Sequence, residues 1–505
     1  MIKLIYRIES DYMSKKRMLI VTSVTLSVVT ISLGIVKLYQ TYALSNYIGT
    51  VTDTGIDVYI NDDSYASIPA NGSSNVYYML TNTNPGTVKY GVAYQTTSGV
   101  TVKVYDTSED PATGTIEEND KKYIKLHLEN KNSTNKTIEL STVLGYENGG
   151  DLVVPSGVTL VTDTYTPPPT AAEYITKLYT TASKTTVTNN SITYNTAPSV
   201  SLMNDRLGGT TTDLDGGNIR YYGASPNNYI YFNCSDYSNQ TSSTCETWRI
   251  IGVFDGKLKL IRGSQIGTYS WDNKDTSTGA ESNFGKNDWT TARLMKLLNP
   301  SDYYTTDSND NNLGQGLYYN SASGKCYSGQ NNATVDCNFT STGIKNDITR
   351  NMIAETTYNL GGWNSNTVYP NLMYEKERGT TVYTGRPTTP WTGKIALAYT
   401  SDYGYAADLN QCKDKTLYDY NNSTCTSNNW MKAIITNNGR NSGWLLTPYC
   451  SISSNVWYVY PVGNVYFNYT VYSAFGAVPV LSLSSELGIE SGGDGSSSNP
   501  YKLSA

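Results

Sequence analysis

The sequence predicts a chain of three parts: one N-terminal apolar helix, an all-β sandwich, and a C-terminal α+β domain rich in loops. Three observations lead to this prediction. Residues 18–36 carry no charge, residues 48–160 alternate apolar and polar side chains, and all Trp, Phe and Cys residues lie after residue 231. A length of 505 residues also exceeds what one hydrophobic core supports, so we expect more than one domain.

Charge and composition exclude several classes of protein. The 37 Lys and Arg residues against 43 Asp and Glu residues give a net charge of −6, which disfavours a nucleic-acid partner. Only 38 % of the residues are hydrophobic, and this share includes the 45 Tyr, so a polytopic membrane protein is excluded. An aromatic content of 12 % excludes wholesale disorder, because aromatic rings can anchor cores.

The apolar run at 18–36 is long enough to cross a lipid bilayer as a helix. Residues 1–17 form a basic tail, so the positive-inside rule predicts a cytoplasmic N-terminus and places everything after the helix outside the cell. We expect a retained signal anchor, because the run is longer than a cleavable signal sequence needs; cleavage near residue 45 is the alternative. A natural start at Met13 leaves translation of residues 1–12 open.

Residues 48–160 predict an antiparallel β-sandwich of immunoglobulin-like architecture. Short alternating segments recur about every ten residues and are separated by turn clusters such as Asn-Thr-Asn-Pro-Gly at 82–86. Nothing in this region suggests chemistry, so we interpret it as a stalk. Residues 161–169 end in three prolines and predict a stiff linker to the next domain.

The chain has a single histidine, His127, which excludes most familiar hydrolase mechanisms. Ser-His-Asp and Cys-His catalysis need a base beside the nucleophile, and His-rich zinc sites need two or three imidazoles. In the strand pattern of 123–128, apolar side chains alternate with His127, so we expect this residue to face solvent.

Residues 170–505 predict a mixed α+β head. Thr170 and Glu173 fit a capping box at the start of an amphipathic helix. Further helices are predicted at 290–298, ended by Pro300, and at 344–360, ended by Gly361. Apolar strands are predicted at 248–254, 257–261, 394–399, 444–446, 456–460, 465–467 and 478–483.

All seven cysteines lie in this head and lack the short spacing of metal sites. The spacing favours disulfides between cysteines that are neighbours in the sequence and are separated by a polar loop, although seven cysteines allow many other connectivities. The predicted disulfides, which imply an oxidising compartment, are Cys234–Cys245, Cys326–Cys337 and Cys412–Cys425. Cys450 is left over and is expected to be a buried small residue.

Eight segments of the C-terminal half carry a resemblance: 222–233, 248–253, 377–387, 391–394, 401–405, 444–448, 476–483 and 492–501. As a set, covering roughly residues 200–503, they resemble a domain of unknown function in surface proteins of gut Firmicutes and Mollicutes-like bacteria. The resemblance implies a fold related to C-type lectins and the formylglycine-generating enzyme. The enzyme branch of this fold needs a cysteine pair and the lectin branch needs calcium and sugar motifs, and this sequence has neither. The catalytic activity is therefore not implied, and the resemblance leaves sugar binding open.

A dense aromatic ribbon is the candidate ligand platform, because amphipathic rings stack on sugars or insert into partner proteins. The alternative is that these rings pack a loop-rich core. The candidate residues are Trp457, Tyr458, Tyr460, Tyr466, Phe467 and Tyr469.

Other motifs admit both a chemical and a structural interpretation. Glu375, Glu377 and Asp402 could supply a carboxylate pair for glycoside hydrolysis, but Glu377 could equally pair with Arg378. Acidic turns at 213–218 and 307–312 resemble calcium loops without the bidentate Glu, and ordinary turns give the same strings. The glycines at 492–495 predict a terminal turn rather than a phosphate loop. No cofactor is expected, with Ca²⁺ as the weaker alternative.

The expected function is a membrane-anchored, cell-surface bacterial protein with a non-catalytic recognition or adhesion head. Its partners would be the lipid bilayer, through one helix, and an extracellular glycan or protein. Two alternatives remain: an extracytoplasmic enzyme of the sulfatase-modifying or glycan-acting type, and a minor pilin-like subunit.

Overall fold

The computed structural model describes residues 47–51, 56–60, 65–82, 86–145, 152–274, 276, 282–306, 313–329, 332–365, 367–379, 390–413 and 415–504. The chain divides into two compact units, of which the first ends at Pro167 and the second begins at Pro168. The described part of the first unit is made of β-strands, and the second unit combines short β-strands with short helices. The predicted cytoplasmic tail at 1–17 and the predicted span at 18–36 lie outside the described residues, and no described helix has the length and apolar character needed to span a membrane.

The described part of the first unit is built from strands alone. They are β1 (Tyr47–Val51), β2 (Ile56–Ile60), β3 (Tyr65–Ile68), β4 (Gly72–Asn82), β5 (Val88–Gln95), β6 (Val100–Tyr105), β7 (Thr113–Ile116), β8 (Lys121–Asn130), β9 (Lys136–Gly145), β10 (Val158–Leu160) and β11 (Thr164–Tyr165).

Two sheets share one core in this unit. A six-stranded sheet has the order β1-β2-β4-β8-β6-β11, and a five-stranded sheet has the order β10-β5-β9-β3 with β7 on β5. Alternate residues of β8, among them Ile124 and Leu126, are fully buried together with Ile138 and Leu140 of β9. The period-2 pattern of the sequence therefore identifies the inward faces correctly. Strand β11 falls inside the predicted linker and pairs in parallel with β6.

The prediction that His127 faces solvent is wrong. Its side chain is only 6 % exposed, because Tyr165 of β11 covers it. The two rings stack with their centroids 3.6 Å apart, and the Nδ1 atom of His127 hydrogen-bonds with the Asn75 side chain at 2.7 Å. The imidazole is thus a packed residue under the C-terminal segment of the unit.

The second unit mixes short helices with many short strands. The helices are α1 (Ala171–Thr181), α2 (Arg206–Gly209), α3 (Arg293–Leu298), α4 (Asp347–Met352), α5 (Pro370–Arg378), α6 (Thr400–Tyr405), α7 (Ser423–Ser427) and α8 (Trp430–Ile435), with 3-10 turns at Pro198–Val200, Ser301–Tyr303 and Leu417–Asp419.

Strands of the second unit form one large sheet, a second smaller sheet and several two-stranded ribbons. They are β12 (Thr185–Asn189), β13 (Ile192–Ala197), β14 (Leu202–Asn204), β15 (Ile219–Tyr221), β16 (Tyr229–Phe232), β17 (Glu246–Phe254), β18 (Lys257–Arg262), β19 (Thr268–Tyr269), β20 (Ser323–Cys326), β21 (Val335–Asn338), β22 (Thr356–Tyr358), β23 (Trp391–Gly393), β24 (Ile395–Ala396), β25 (Gly443–Pro448), β26 (Val456–Val459), β27 (Val465–Tyr466), β28 (Phe475–Gly476), β29 (Val480–Ser482), β30 (Gly488–Ile489) and β31 (Leu503–Ser504).

The large sheet has nine strands in the order β12-β13-β14-β15-β17-β18-β29-β24, with β16 on β17. The smaller sheet has five strands in the order β19-β28-β25-β26-β27. Five tryptophans are almost completely buried and fill the core around these sheets: Trp248, Trp271, Trp289, Trp444 and Trp457. The cluster of large rings explains how a chain with modest apolar content supports this unit.

The predicted helices have three different outcomes. The capping box at the start of α1 is confirmed, since Thr170 Oγ1 accepts from the Glu173 amide at 3.2 Å and Glu173 Oε2 accepts from the Thr170 amide at 2.8 Å. The helix predicted at 290–298 is shorter and begins at Arg293. The helix predicted at 344–360 is wrong: α4 ends at Met352, and β-branched Thr356 and Thr357 enter β22, which pairs with β23.

The three disulfides join the neighbouring cysteines that the spacing predicts: Cys234–Cys245, Cys326–Cys337 and Cys412–Cys425. Cys450 is buried and takes part in none of these bridges.

Candidate functional site

The aromatic ribbon is divided between core and surface, and its prediction as one exposed platform is wrong for Trp457 and Tyr458. Both rings are at most 1 % exposed, and their strand β26 is paired on both sides, with β25 and with β27. Trp457 packs edge-on against Tyr449 and Phe467, and its indole Nε1 donates to the Trp363 carbonyl at 3.2 Å. Half-buried Phe467 stacks on Tyr449 with the centroids 4.0 Å apart, so it belongs to this core side as well.

The remaining ribbon residues do reach the surface. Tyr460 is 42 % exposed and Tyr469 is 46 % exposed, while Tyr466 is half-buried. The Tyr466 hydroxyl donates to the Tyr418 hydroxyl at 2.8 Å, and the ring centroids of Tyr460 and Tyr466 lie 6.1 Å apart. We call Tyr418, Tyr460, Tyr466 and Tyr469 the tyrosine patch. Its rings offer apolar faces and polar tips together, which suits a surface that contacts ligands.

The carboxylates considered for glycoside hydrolysis form ion pairs and hydrogen bonds with neighbouring residues of the second unit. Glu375 is exposed and pairs with Lys376 at 2.9 Å. Glu377 is fully buried and accepts from the Ser401 amide at 3.0 Å and the Thr447 hydroxyl at 2.7 Å. Burial raises the pKa of Glu377 above its ordinary value. The alternative pairing is present, since Arg378 Nη1 lies 3.6 Å from Glu377 Oε2, and Glu377 is therefore not presented to a substrate.

Asp402 belongs to a buried ion network formed by Asp205, Arg220, Lys259 and Asp402. Its two oxygens accept from Arg220 at 2.8 Å and from Lys259 at 2.5 Å, and Arg220 also pairs with Asp205 at 2.5 Å. Burial alone would raise the pKa of Asp402, but Lys259 and Arg220 outweigh burial and lower it to about 2. The Asp402 carboxylate is therefore charged at neutral pH and lies between two cations, which suits a structural role.

The acidic turn at 213–218 uses its side chains internally. Asp213 Oδ1 accepts from the Asp215 amide at 3.0 Å, Asp215 accepts from Asn195 at 3.1 Å, and the Asn218 amide group donates to Asp205 at 3.0 Å. The described residues contain no group of three or more His, Cys, Asp and Glu side chains able to hold a metal ion. The second acidic turn, 307–312, lies outside the described residues.

The glycines at 492–495 form a turn in which Asn499 Nδ2 donates to the Gly492 carbonyl at 2.8 Å. Asp494 Oδ1 accepts from the Ser496 amide at 2.9 Å, so this segment is closed by its own side chains. The turn interpretation of the sequence fits this geometry.

A cleft of about 540 Å³ opens where the ends of β17 and β18 meet helix α8. It is lined by Tyr229, Glu246, Thr247, Arg249, Arg262, Gly263, Ser264, Trp430, Ala433, Ile434 and Asn438. We call it the Arg249 cleft. Sequence reasoning missed it, although one signal was available: Arg249 interrupts the apolar strand Trp-Arg-Ile-Ile, and a cation in a buried strand needs a partner.

Rings and neutral oxygens surround Arg249. Its guanidinium carbon lies 3.7 Å from the ring centroid of Tyr229 and 4.9 Å from that of Trp430. Its Nε donates to Asn228 Oδ1 at 2.5 Å and its Nη2 donates to the Pro226 carbonyl at 3.3 Å. Burial lowers the pKa of Arg249 to about 10, and Tyr229 only partly offsets this effect.

Comparison with protein-family models and with curated proteins provides no relative for this chain. No protein-family model matches the sequence, and no curated protein matches it significantly.

Proposed function

We propose that this chain is a bacterial surface protein whose second unit binds an extracellular ligand without catalysing a reaction. The first unit would be an immunoglobulin-like sandwich that serves as a stalk, and the second a C-type-lectin-like head related to the surface domain that the sequence resembles. The observation that carries the proposal is the tyrosine patch, in which Tyr460 and Tyr469 are exposed beside a tightly packed ribbon. Locked carboxylates and a single packed histidine favour recognition over hydrolysis.

Display outside the cytoplasm is supported by the three disulfides, which persist in oxidising compartments. The uncharged run at 18–36 and the basic tail before it would provide the anchor. Protease treatment of intact cells should then release fragments of the second unit. Protection of the second unit in intact cells, with digestion after lysis, would contradict surface display.

The test of recognition is a glycan array probed with the full chain in a mild detergent, with and without Ca²⁺. The double substitution Tyr460→Ala and Tyr469→Ala should abolish the array signal while the melting temperature stays nearly unchanged, because exposed side chains contribute little to stability. A matched control is available in the first unit, where Tyr65 is 58 % exposed and Tyr123 is 43 % exposed. The double substitution Tyr65→Ala and Tyr123→Ala should leave the signal intact. Equal loss in both double variants would overturn the assignment to the patch.

A further inference from the structure

Arg249 is a buried cation of the second unit that has no carboxylate partner among the described residues. Arg249 is 6 % exposed, and among the described residues its partners are neutral: the oxygens of Asn228 and Pro226 accept its hydrogen bonds, and the Tyr229 side chain lies against it. These two bonds use two of the five N–H groups of a guanidinium. A buried charge without an ionic partner is costly, so the position is favourable for a ligand that brings the missing negative charge.

The neighbouring cation in the cleft is already satisfied. Arg262 forms a bidentate salt bridge with Glu246, in which Nε donates to Oε2 at 3.0 Å and Nη2 donates to Oε1 at 2.9 Å. Its Nη1 donates to Ser264 Oγ at 3.0 Å. The pair is neutral in sum, so the Arg249 cleft has one net positive charge, and that charge belongs to Arg249.

We propose that the Arg249 cleft is a binding site for the carboxylate of an acidic sugar, with the guanidinium of Arg249 as its partner. The rings of Tyr229 and Trp430 hold the guanidinium in place, so its remaining N–H groups are preorganised for a planar carboxylate. Thr247, Ser264 and Asn438 line the same cleft and supply neutral donors and acceptors for sugar hydroxyls.

Two features favour a sugar with one negative charge over other anions. The cleft has one net positive charge, because Glu246 is neutralised by Arg262, and this single charge matches one carboxylate better than a doubly charged phosphate. The wall strand β17 is paired on both sides, with β16 through Arg249 and Tyr229 and with β18 through Arg249 and Ile261. It therefore offers no free edge along which a peptide backbone could add as a strand.

The experiment measures binding of sodium glucuronate to the full chain by saturation-transfer NMR and calorimetry, with glucose and inorganic phosphate as comparison ligands. Glucuronate should bind at least about tenfold more tightly than glucose, because charge-assisted hydrogen bonds are the stronger class. Arg249→Gln should weaken glucuronate binding by about tenfold or more. Arg440→Gln removes the same charge from an exposed residue that does not line the cleft, and it should leave binding unchanged.

A variant that fails to fold does not block the test. Arg249→Lys keeps the charge but loses the planar fork, so it should fold and bind more weakly than the wild-type protein.

For the wild-type protein itself, glucuronate affinity should fall as the pH rises from 8 towards and past 10, since Arg249 then loses its charge. Equal binding of glucose and glucuronate, tighter binding of phosphate than glucuronate, or unchanged affinity in Arg249→Gln would each overturn the proposal. The tyrosine patch is a separate surface, so the Tyr460→Ala and Tyr469→Ala variant should keep glucuronate binding, and either proposal can fail alone.

Discussion

The two units of this chain differ in the kind of polar side chain that they bury. Among the described residues of the first unit, the buried polar side chains are Asn82, His127 and Asn130, and none is an Asp, Glu, Lys or Arg. The second unit buries several charged residues, including the ion network around Asp402. The first unit is held by apolar faces of two sheets, whereas the second also depends on charges that compensate one another.

This difference teaches where each unit is vulnerable. Apolar packing loses stability gradually, in proportion to the volume removed. A buried ion network is different, because removing one member leaves its partners charged and uncompensated. Intrinsic fluorescence separates the two units, since every Trp lies after residue 231 and therefore reports the second unit alone.

The largest expected effect is on the buried ion network. Asp402→Ala leaves Arg220 and Lys259 without their shared carboxylate, and we expect a loss of about 3–5 kcal/mol in the free energy of unfolding of the second unit. Urea denaturation followed by Trp fluorescence measures it. The control Glu375→Ala removes an exposed carboxylate from a surface pair and should cost about 0–1 kcal/mol. Equal effects of the two substitutions would show that the network does not stabilise the fold.

A second test contrasts two rings of the same ribbon. Trp457→Ala empties a core position and should destabilise the second unit by about 3–5 kcal/mol. Tyr460→Ala removes a ring that is largely in solvent and should change stability by less than about 0.5 kcal/mol. Thermal unfolding of both variants decides the assignment. A small effect of Trp457→Ala would mean that this ring lies outside the core, and it would support the prediction that the whole aromatic ribbon is an exposed ligand platform.

A third, smaller effect concerns the disulfides, which only the second unit contains. Replacing Cys326 and Cys337 by Ser opens a short loop and should cost the second unit about 2–4 kcal/mol. Hydrogen exchange of peptides from β4 to β9 should not change, because the first unit has no cysteine. Faster exchange in β4 to β9 would mean that the two units do not unfold independently.

How far the sequence predicts the structure also differs between the units. In the first unit, alternation of apolar and polar residues identifies both the strands and their inward faces, because each sheet has one buried side. The short strands β3, β7, β10 and β11 are the exceptions, and β11, which lies just before the three prolines, pairs with β6 and covers His127. A two-residue strand in a Thr-rich stretch leaves no periodic signal.

In the second unit, many strands are buried on both faces, so alternation cannot distinguish core from surface. All four residues of β26 are buried, and nothing in Val-Trp-Tyr-Val separates Trp457 from the exposed Tyr460 that follows. The ion network joins Asp205, Arg220, Lys259 and Asp402 across long sequence separations, so no local motif reveals it. The Arg249 cleft was missed for the same reason, since helix α8 closes it from far along the chain.

The smallest expected effect is a pH response that differs in sign between the units. Burial lowers the pKa of His127 below 6.5, so the folded first unit binds a proton less readily than its unfolded form and loses stability as the pH falls below 6.5. In the second unit, burial raises the pKa of Asp272 from 3.8 to about 6, so stability is lost as the pH rises through 6 and is recovered as it falls towards 3.8.

Between pH 7 and pH 5 we therefore expect the free energy of unfolding of the first unit to decrease because of His127. Over the same range we expect that of the second unit to increase because of Asp272. Hydrogen exchange of peptides from β4 to β9 follows the first unit, and urea denaturation monitored by Trp fluorescence follows the second. His127→Gln should remove the response of the first unit without affecting the second, because the chain has no other histidine. Asp272→Asn should reduce the response of the second unit, to which Glu377 also contributes because burial raises its pKa, and should leave the first unit unchanged. If both units weaken together on acidification, and neither substitution separates them, then burial does not set the protonation of these two side chains.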